Sequence, residues 1–158
     1  MRLKTWQKLA VCLIVPQCAG MIGGLFTAPN IPTWYAYLNK PSFTPPSWIF
    51  APVWLILYLM MGFALFLIWT ADTAKPAVRA ALGLFAAQLV LNAAWTFLFF
   101  GLRSPFWGLI DIGLLWLMLA GLIVLSMRVR LLAGLLHLPY WFWLSFASVL
   151  NYTIWTMN

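Results

Sequence analysis

Acidic residues are almost absent from this chain, which has no glutamate and only two aspartates, Asp72 and Asp111. It also has a single imidazole, that of His137. Paired-carboxylate catalysis, a histidine-activated nucleophile and a metal centre each need more such groups than the sequence offers. No glycine-rich phosphate loop compensates for them. These shortages weigh against ordinary hydrolysis, group transfer and metal-dependent catalysis, and we expect no metal site.

Cysteine is equally scarce, with Cys12 and Cys18 as the whole complement. The two lie six residues apart, which separates them by about 240° around a helix of 3.6 residues per turn. They therefore cannot pair with each other, and neither has a histidine or second cysteine at the spacing of a metal site. We expect both to be packing residues.

Charge of either sign is rare: 7% of the residues are charged, whereas 65% are hydrophobic and 11 are tryptophan. A water-soluble domain could not cover its surface with so little polarity. Five segments are apolar over about 20 residues, the length that crosses a bilayer. They cover residues 9–27, 46–70, 77–101, 105–127 and 131–156. The sequence therefore predicts an all-α integral membrane protein, a bundle of five transmembrane helices forming a single domain over residues 1–158, with lipid around it.

The basic residues divide between the two ends of these segments. Seven fall on the side of the N-terminus and two on the other side. The first group is Arg2, Lys4, Lys8, Lys75, Arg79, Arg128 and Arg130, and the second is Lys40 and Arg103. Because cytoplasmic loops carry the excess of Lys and Arg, we expect a cytoplasmic N-terminus and an external C-terminus. The membrane we expect is a bacterial cytoplasmic membrane. The basic residues do not form a phosphate-binding stripe, so we expect no nucleic-acid partner.

Several polar side chains fall within the predicted spans, where they are costly unless they face the interior of the bundle. Gln88 and Asn92 lie four residues apart in the third segment, so they point the same way. Asp111, in the fourth segment, fits a hydrogen-bonded structural carboxyl and a functional group equally well. His137, near the start of the fifth segment, is more simply interpreted as a structural or interfacial residue than as a ligand.

Aromatic side chains recur at helical spacing in three segments. The stripes are Phe50, Trp54 and Tyr58 in the second segment; Gln88, Asn92, Trp95 and Phe99 in the third; and Trp143, Phe146, Ala147 and Leu150 in the fifth. Such patterns commonly serve helix packing. They could also line a cavity inside the bundle.

The connection between the first two segments is long and rich in proline and aromatic residues. Residues 33–54 read TWYAYLNKPSFTPPSWIFAPVW. This stretch, with NAAWTFLFFG and LPYWFWLSFASVLN further along the chain, resembles the motifs of the tryptophan-rich sensory protein (TspO) family, also called translocator proteins or peripheral-type benzodiazepine receptors. The resemblance covers essentially the whole chain. Its most specific part is the loop pattern WYxxLxKPxWxPP, which residues 34–46 match except at Phe43.

The resemblance implies a membrane receptor that binds porphyrins, notably protoporphyrin, and drug-like apolar ligands in a pocket roofed by the first loop. Porphyrin is expected as a ligand, and no cofactor is required. Together with the stripes, it gives these ligand-binding candidates: Trp34, Tyr35, Pro45, Phe50, Trp54, Asn92, Trp95, Phe99, Trp143, Phe146, Ala147 and Leu150. Trp54 and Trp143 match tryptophans associated in the family with light-dependent protoporphyrin breakdown. A photochemical enzyme is therefore the alternative to a receptor acting in tetrapyrrole regulation or trafficking.

Two positions depart from the family pattern. Phe43 stands where the family usually has tryptophan, which keeps an aromatic face but removes an indole N–H. The sterol-recognition motif of some members needs a basic residue after its tyrosine, whereas VLNYTIWTMN has none after Tyr152. We therefore do not expect sterol binding.

The loop composition predicts a rigid lid. Pro41, Pro45 and Pro46 each fix φ and remove a donor, so the loop keeps one shape with fewer unsatisfied amides. The loop aromatics could instead be interfacial anchors.

Small residues spaced four apart in the third segment predict an assembly contact. The pairs are Ala77 with Ala81 and Gly83 with Ala87. Because such pairs let two helices approach closely in lipid, we expect a homodimer through the third helix. The same residues could pack within one chain instead.

Overall fold

The computed structural model describes residues 3–158, in which helices and turns occur and strands do not. The α-helices are α1 (Thr5–Asn30), α2 (Phe50–Trp69), α3 (Pro76–Thr96), α4 (Pro105–Val129), α5 (Leu131–Leu135) and α6 (Leu138–Met157). Five helical stretches are long and apolar enough to cross a membrane: Thr5–Asn30, Ser47–Trp69, Pro76–Gly101, Pro105–Val129 and Leu131–Met157. The predicted class, an all-α integral membrane protein with five spanning helices, is confirmed.

The helices extend somewhat beyond the apolar segments seen in the sequence. α1 begins four residues earlier than residue 9 and continues to Asn30, although Pro16 lies inside it. The third span ends in a π-helical turn, Phe97–Gly101. The fifth span is divided, because α5 ends at Leu135 and α6 starts at Leu138 with Pro139 in its first turn, a position that requires no amide donor.

Glycines bring α1 close to its neighbours. A Cβ at Gly62 of α2 would lie 2.6 Å from the carbonyl oxygen of Cys12, and one at Gly20 would collide with the ring of Tyr58. A Cβ at Gly23 would lie 3.0 Å from the side chain of Thr96 on α3. Backbone contact of this kind is how helices associate in lipid, so α1 is packed as a member of the bundle.

The helices α3, α4 and α6 share a defined register. A Cβ at Gly108 of α4 would meet Phe99, in the π-helical turn that follows α3, at 2.9 Å and Asn151 of α6 at 3.0 Å. Thirteen residues further along α4, a Cβ at Gly121 would approach Leu84 of α3 at 3.8 Å. α3 and α4 are therefore antiparallel. We call the end of the bundle near Gly108 the loop side, and the opposite end the N-terminal side.

The core contains two hydrophobic clusters that differ in size and position. The larger one contains residues of α2, α3, α4 and α6, with Met61, Leu119 and Tyr140 fully buried. The smaller one lies on the loop side, where Phe99 and Ile154 are covered by Trp34 and other loop residues. Cys12 is buried and Cys18 is exposed, and both are free thiols. Arg2, counted among the basic residues of the N-terminal side, lies outside the described residues.

Candidate functional site

Hydrogen bonds within the first loop hold its backbone in a defined conformation. Its turn Tyr35–Tyr37 is a short 3₁₀ helix, and the ammonium of Lys40 folds back over it. Lys40 Nζ donates to the carbonyl oxygens of Tyr35 at 2.8 Å, Leu38 at 3.0 Å and Ala36 at 3.2 Å. The same nitrogen lies 4.9 Å from the centre of the Tyr35 ring. Lys40 therefore bonds three carbonyl oxygens of the turn and orients Tyr35.

The end of α6 fastens this loop. The backbone N–H of Asn39 donates to Asn158 Oδ1 at 2.9 Å, and Asn158 Nδ2 donates back to the Asn39 carbonyl at 3.0 Å. Asn39 Nδ2 also donates to the carbonyl of Met157 at 3.2 Å. Three hydrogen bonds between segments more than 100 residues apart hold the loop across the end of the bundle.

Loop aromatics form a roof over the loop side of the bundle. Trp34 packs edge-on against Phe99 with ring centres 5.5 Å apart, and Tyr35 packs against Phe100 at 5.6 Å. Phe43 reaches Phe146 of α6 at 6.3 Å. These contacts, edge-to-face for Trp34 and Phe43 and tilted for Tyr35, stabilise the pairs beyond simple burial. Phe43 thus keeps the aromatic contact although it lacks an indole N–H.

The walls come from α2 and α6. Phe50 packs edge-on against Trp143 at 5.8 Å, and Trp143 packs against Phe146 at 5.6 Å. Trp54, one turn after Phe50, packs against Tyr58 at 5.3 Å and Tyr140 at 5.9 Å. Trp54 and Trp143 are both half-buried, and each packs on its own partners.

A hydrogen-bonded triad lies at the base of these walls. The hydroxyl of Tyr58 donates to Asn92 Oδ1 at 2.6 Å, and Asn92 Nδ2 donates to the hydroxyl oxygen of Tyr140 at 2.7 Å. All three residues are buried. The triad ties α2, α3 and α6 together, so it fixes the separation of the helices that carry the aromatic walls.

Trp95 connects the walls to the roof. Its ring is stacked on Phe99 with centres 5.0 Å apart and an angle of 20° between planes. Its indole N–H donates to Asn151 Oδ1 at 3.1 Å, and Asn151 Nδ2 donates to the carbonyl of Pro105 at 2.7 Å. Trp95 is therefore held flat, with its polar edge satisfied and its face turned to other rings.

The twelve predicted ligand-binding residues lie in the first loop, in the first turns of α2, at the end of the third span and along α6 from Trp143 to Leu150. Leu150 is buried in the smaller cluster, and Ala147 packs against the larger one. Pro45 is half-buried in the loop.

The roof and wall rings together form what we call the aromatic lining. Tyr140 and Phe100 also belong to it, although they were not among the candidates. Tyr140 could have been found by its position three residues before Trp143 in the α6 stripe. Phe100 could not, because only the π-helical turn presents two successive phenylalanines inward.

A groove opens beside the roof rather than between Trp54 and Trp143. It has a volume of about 370 Å³ and lies on the far side of Trp34, against the start of α4. It is lined by Trp34, Leu38, Arg103, Ser104, Pro105, Phe106, Trp155 and Asn158. Between the walls, the rings contact one another, so a ligand bound there must separate them. Among residues 3–158 no group of three His, Cys, Asp or Glu is placed to hold a metal ion.

The roof should respond to alkaline pH through Tyr35. Burial raises the pKa of its hydroxyl above the ordinary value of 10.0. A docked loop therefore retains a proton that a detached loop would lose, so ionisation of Tyr35 does not oppose docking below about pH 10 and weakens it above that pH. We expect the resonance of a fluorine-labelled Trp34 to shift as the pH rises past 10. The shift should be absent in Tyr35→Phe, and an equal shift in that variant would remove Tyr35 as its cause.

Known proteins align with this chain over nearly its whole length. Residues 12–156 match the TspO/MBR family. The tryptophan-rich protein TspO of Chlorobaculum tepidum is 43% identical over 150 residues, which cover 95% of each chain. The translocator protein of Bos taurus is 40% identical over 155 residues, covering 97% of this chain and 91% of its own. The tryptophan-rich sensory protein of Cereibacter sphaeroides is 33% identical over 125 residues, covering 79% and 77%. The chain belongs to the TspO/MBR family.

Proposed function

We propose that this membrane protein is a receptor that binds protoporphyrin, and other flat apolar ligands, between its aromatic walls and beneath its fastened loop. The observation that carries the proposal is the convergence of the loop, α2, α3 and α6 on one aromatic lining, closed by the hydrogen bonds between Asn39 and Asn158. Relatives named translocator protein and tryptophan-rich sensory protein support a receptor or sensory role. Its place would be in tetrapyrrole regulation or trafficking.

The lining suits a macrocycle for a physical reason. A porphyrin offers two flat apolar faces and a polar carboxylate edge. Rings that now pack on each other, such as Phe50 with Trp143, can exchange that contact for stacking on the macrocycle. An aromatic pair contributes about 0.5–1.5 kcal/mol beyond its buried area, so the exchange costs little, and the additional buried surface favours the complex.

Metal-free protoporphyrin should bind at least as tightly as haem. Haem iron needs an axial ligand such as histidine or cysteine. The only histidine, His137, is fully buried on the N-terminal side, where its Nδ1 lies 2.8 Å from the carbonyl oxygen of Ala133. Cys12 is buried on α1, against α2. Neither side chain belongs to the aromatic lining, so the iron would gain no histidine or cysteine ligand there.

Parallel titrations of purified protein with the two porphyrins test this expectation. The result expected is an equal or lower dissociation constant for protoporphyrin and a haem spectrum without histidine ligation. A His-ligated haem spectrum with much tighter binding, lost in His137→Ala, would contradict the proposed site.

We propose a homodimer through α3. Ala81 is fully buried inside the bundle, so the pair Ala77 and Ala81 serves packing within one chain. Gly83 is different, because nothing lies within 4 Å of the Cβ it would carry. Its neighbour on the same face, Val90, is 68% exposed. This open strip is where a second α3 could approach closely.

Gly83→Leu should convert dimers to monomers without loss of porphyrin binding, because leucine fills the strip that admits a second backbone. Light scattering in detergent, with the detergent contribution subtracted, measures the oligomeric state. Gly24→Leu is the matched control, since Gly24 also has open space around it but lies on α1. If both variants lose the dimer equally, or if neither loses it, α3 is not the interface.

The orientation of the chain is likewise a proposal. The described basic residues of the N-terminal side outnumber Lys40 and Arg103 on the loop side, as they do in proteins with a cytoplasmic N-terminus. The aromatic site would then face away from the cytoplasm of a bacterial cell. Labelling of an introduced Ser42→Cys by an impermeant thiol reagent in whole cells, with Cys12 and Cys18 replaced by alanine, would test this.

Light-dependent breakdown of protoporphyrin is the second candidate function. The observation that favours it is the placement of Trp54 and Trp143, which are half-buried on α2 and α6 within the same aromatic lining. Both indoles could exchange an electron with an excited porphyrin held beside them. Illumination of the complex would yield degradation products in the parent protein and fewer in the two Trp→Phe variants.

A further inference from the structure

A column of buried polar side chains runs through the bundle from the level of the aromatic lining toward the N-terminal side. Each of its members is at most 7% exposed: Asp111, Tyr58, Asn92, Tyr140, Gln88, His137 and Ser126. Within a spanning segment a buried polar atom is costly unless it has a hydrogen-bond partner. Yet five atoms in this column have none among the described residues: both side-chain amide atoms of Gln88, Asp111 Oδ2, His137 Nε2 and Ser126 Oγ.

The helix register places these atoms in one strip. Gly108 of α4 lies against Phe99 of the π-helical turn that follows α3, so Asp111, one turn further toward the N-terminal side, lies level with Trp95. On α3, Gln88 lies two turns from Trp95 toward the N-terminal side. The rings of Phe85 and His137, with centres 6.0 Å apart, mark the next level down. The unpartnered atoms therefore follow each other from the base of the aromatic lining toward the N-terminal side.

Gln88 is the centre of the strip. It is completely buried, and it lies one helical turn below Asn92 on the same face of α3. Asn92 donates to the hydroxyl oxygen of Tyr140, which leaves the hydrogen of that hydroxyl without an acceptor among the described residues. The Tyr140 hydroxyl is therefore a free donor at one end of the triad. The Gln88 amide, one helical turn from Asn92, adds two donors and an acceptor.

The charges and hydrogen-bonding groups of the column indicate what kind of molecule it can hold. A cation would need several carboxylates, but Asp111 is the only one in the spanning segments and Asp72 is exposed. An anion would need a basic partner, and the column contains neither Lys nor Arg. Neutral donors and acceptors with two to four partners per site are what buried water requires.

We propose that internal water molecules occupy this column, with a central site between Gln88 and Tyr140 and flanking sites at Asp111 and at His137. Water at these positions satisfies the unpartnered atoms of Gln88, Asp111 and His137 and extends the triad of Tyr58, Asn92 and Tyr140 toward the N-terminal side. The base of the aromatic lining is then a hydrated polar strip within a lipid-embedded bundle. The inference rests on buried atoms of the chain and is independent of the ligand assigned to the lining.

Selective labelling makes the central site observable. The chain has three glutamines, Gln7, Gln17 and Gln88, so protein labelled with ¹⁵N-glutamine in nanodiscs gives three side-chain amide signals. Loss of one signal in Gln88→Met assigns it. We expect direct cross-relaxation between water and the Gln88 amide, as for the half-exposed Gln7. A Gln88 amide that shows no water contact under conditions where Gln7 does would overturn the proposal.

The stability of Gln88→Met provides a second test, because a dry core and a hydrated core predict changes of opposite sign. If the core is dry, Gln88→Met removes an unsatisfied amide and should raise the unfolding midpoint. If water occupies the site, the substitution strands that water or leaves Tyr140 unpaired, and the folding equilibrium constant should fall by about tenfold, the equivalent of one hydrogen bond. Leu89→Met on the same helix controls for the methionine side chain. A Gln88→Met protein more stable than its parent would contradict internal water.

Discussion

Asn92→Leu is expected to destabilise the protein by about 2–4 kcal/mol, because it leaves two buried tyrosine hydroxyls without their partner and each stranded group costs about 1–3 kcal/mol. The hydroxyls belong to Tyr58 and Tyr140, which Asn92 joins at 2.6 and 2.7 Å. The walls that carry Trp54 and Trp143 should also lose their fixed separation, so protoporphyrin binding should weaken. Unfolding by denaturant in mixed micelles and porphyrin titration measure the two effects.

The control for Asn92→Leu removes the stranded groups as well. The triple variant Tyr58→Phe, Asn92→Leu, Tyr140→Phe has no unpaired hydroxyl at this level and should recover much of the lost stability. Hydrogen bonds between membrane helices contribute about 0.6 kcal/mol on average. A loss of that size in Asn92→Leu, with unchanged porphyrin binding, would show that the triad does not position the walls.

Release of the loop is expected to weaken protoporphyrin binding by about 1–2 kcal/mol, roughly the cost of ordering one or two freed residues. Two variants should have this effect for different reasons. Replacing Pro41, Pro45 and Pro46 by alanine removes the stiffness of the loop, whereas Tyr35→Ala removes its contact with Phe100. Helical content should remain nearly unchanged, and stopped-flow fluorescence should show faster porphyrin dissociation.

Pro32→Ala is the matched control for the loop variants, because Pro32 is an exposed proline before the roof residues. Asn158→Ala removes side-chain bonds to Asn39 without altering the loop sequence and should also speed dissociation. If the proline variant and Tyr35→Ala both release porphyrin at the parent rate, the loop is a connector or interfacial anchor, and the ligand binds elsewhere.

The fold could be predicted from sequence because lipid leaves few alternatives. A segment of about 20 apolar residues must satisfy its backbone internally, so it is a helix. The stripes that begin at Phe50, Gln88 and Trp143 converge in the structure because short connections force neighbouring helices to be antiparallel. The polar position Asn92 could be recognised as inward-facing for the same reason, since an amide avoids lipid.

Other features depend on contacts that no local pattern contains. The bonds between Asn39 and Asn158 join the loop to the last residue of the chain, and sequence spacing carries no information about such a pair. The inward turn of Phe100 follows from a π-helical turn at Phe97–Gly101. The split of the fifth span before Pro139 depends on how α5 packs, because Gly134 there lies against Ile123 and Met127.

The central claim is that protoporphyrin binds against Trp54 and Trp143 beneath the loop. Its most direct test is a titration of purified protein with protoporphyrin in darkness, followed by quenching of tryptophan emission, in the parent, in the double variant Trp54→Phe, Trp143→Phe and in a control pair. Trp6 and Trp107 serve as the control, since they are 65% and 52% exposed on the outside of the bundle. We predict saturable quenching that is strongly reduced in the double variant and retained in Trp6→Phe, Trp107→Phe. Unchanged quenching in the double variant, or its loss in the control pair, would contradict the account.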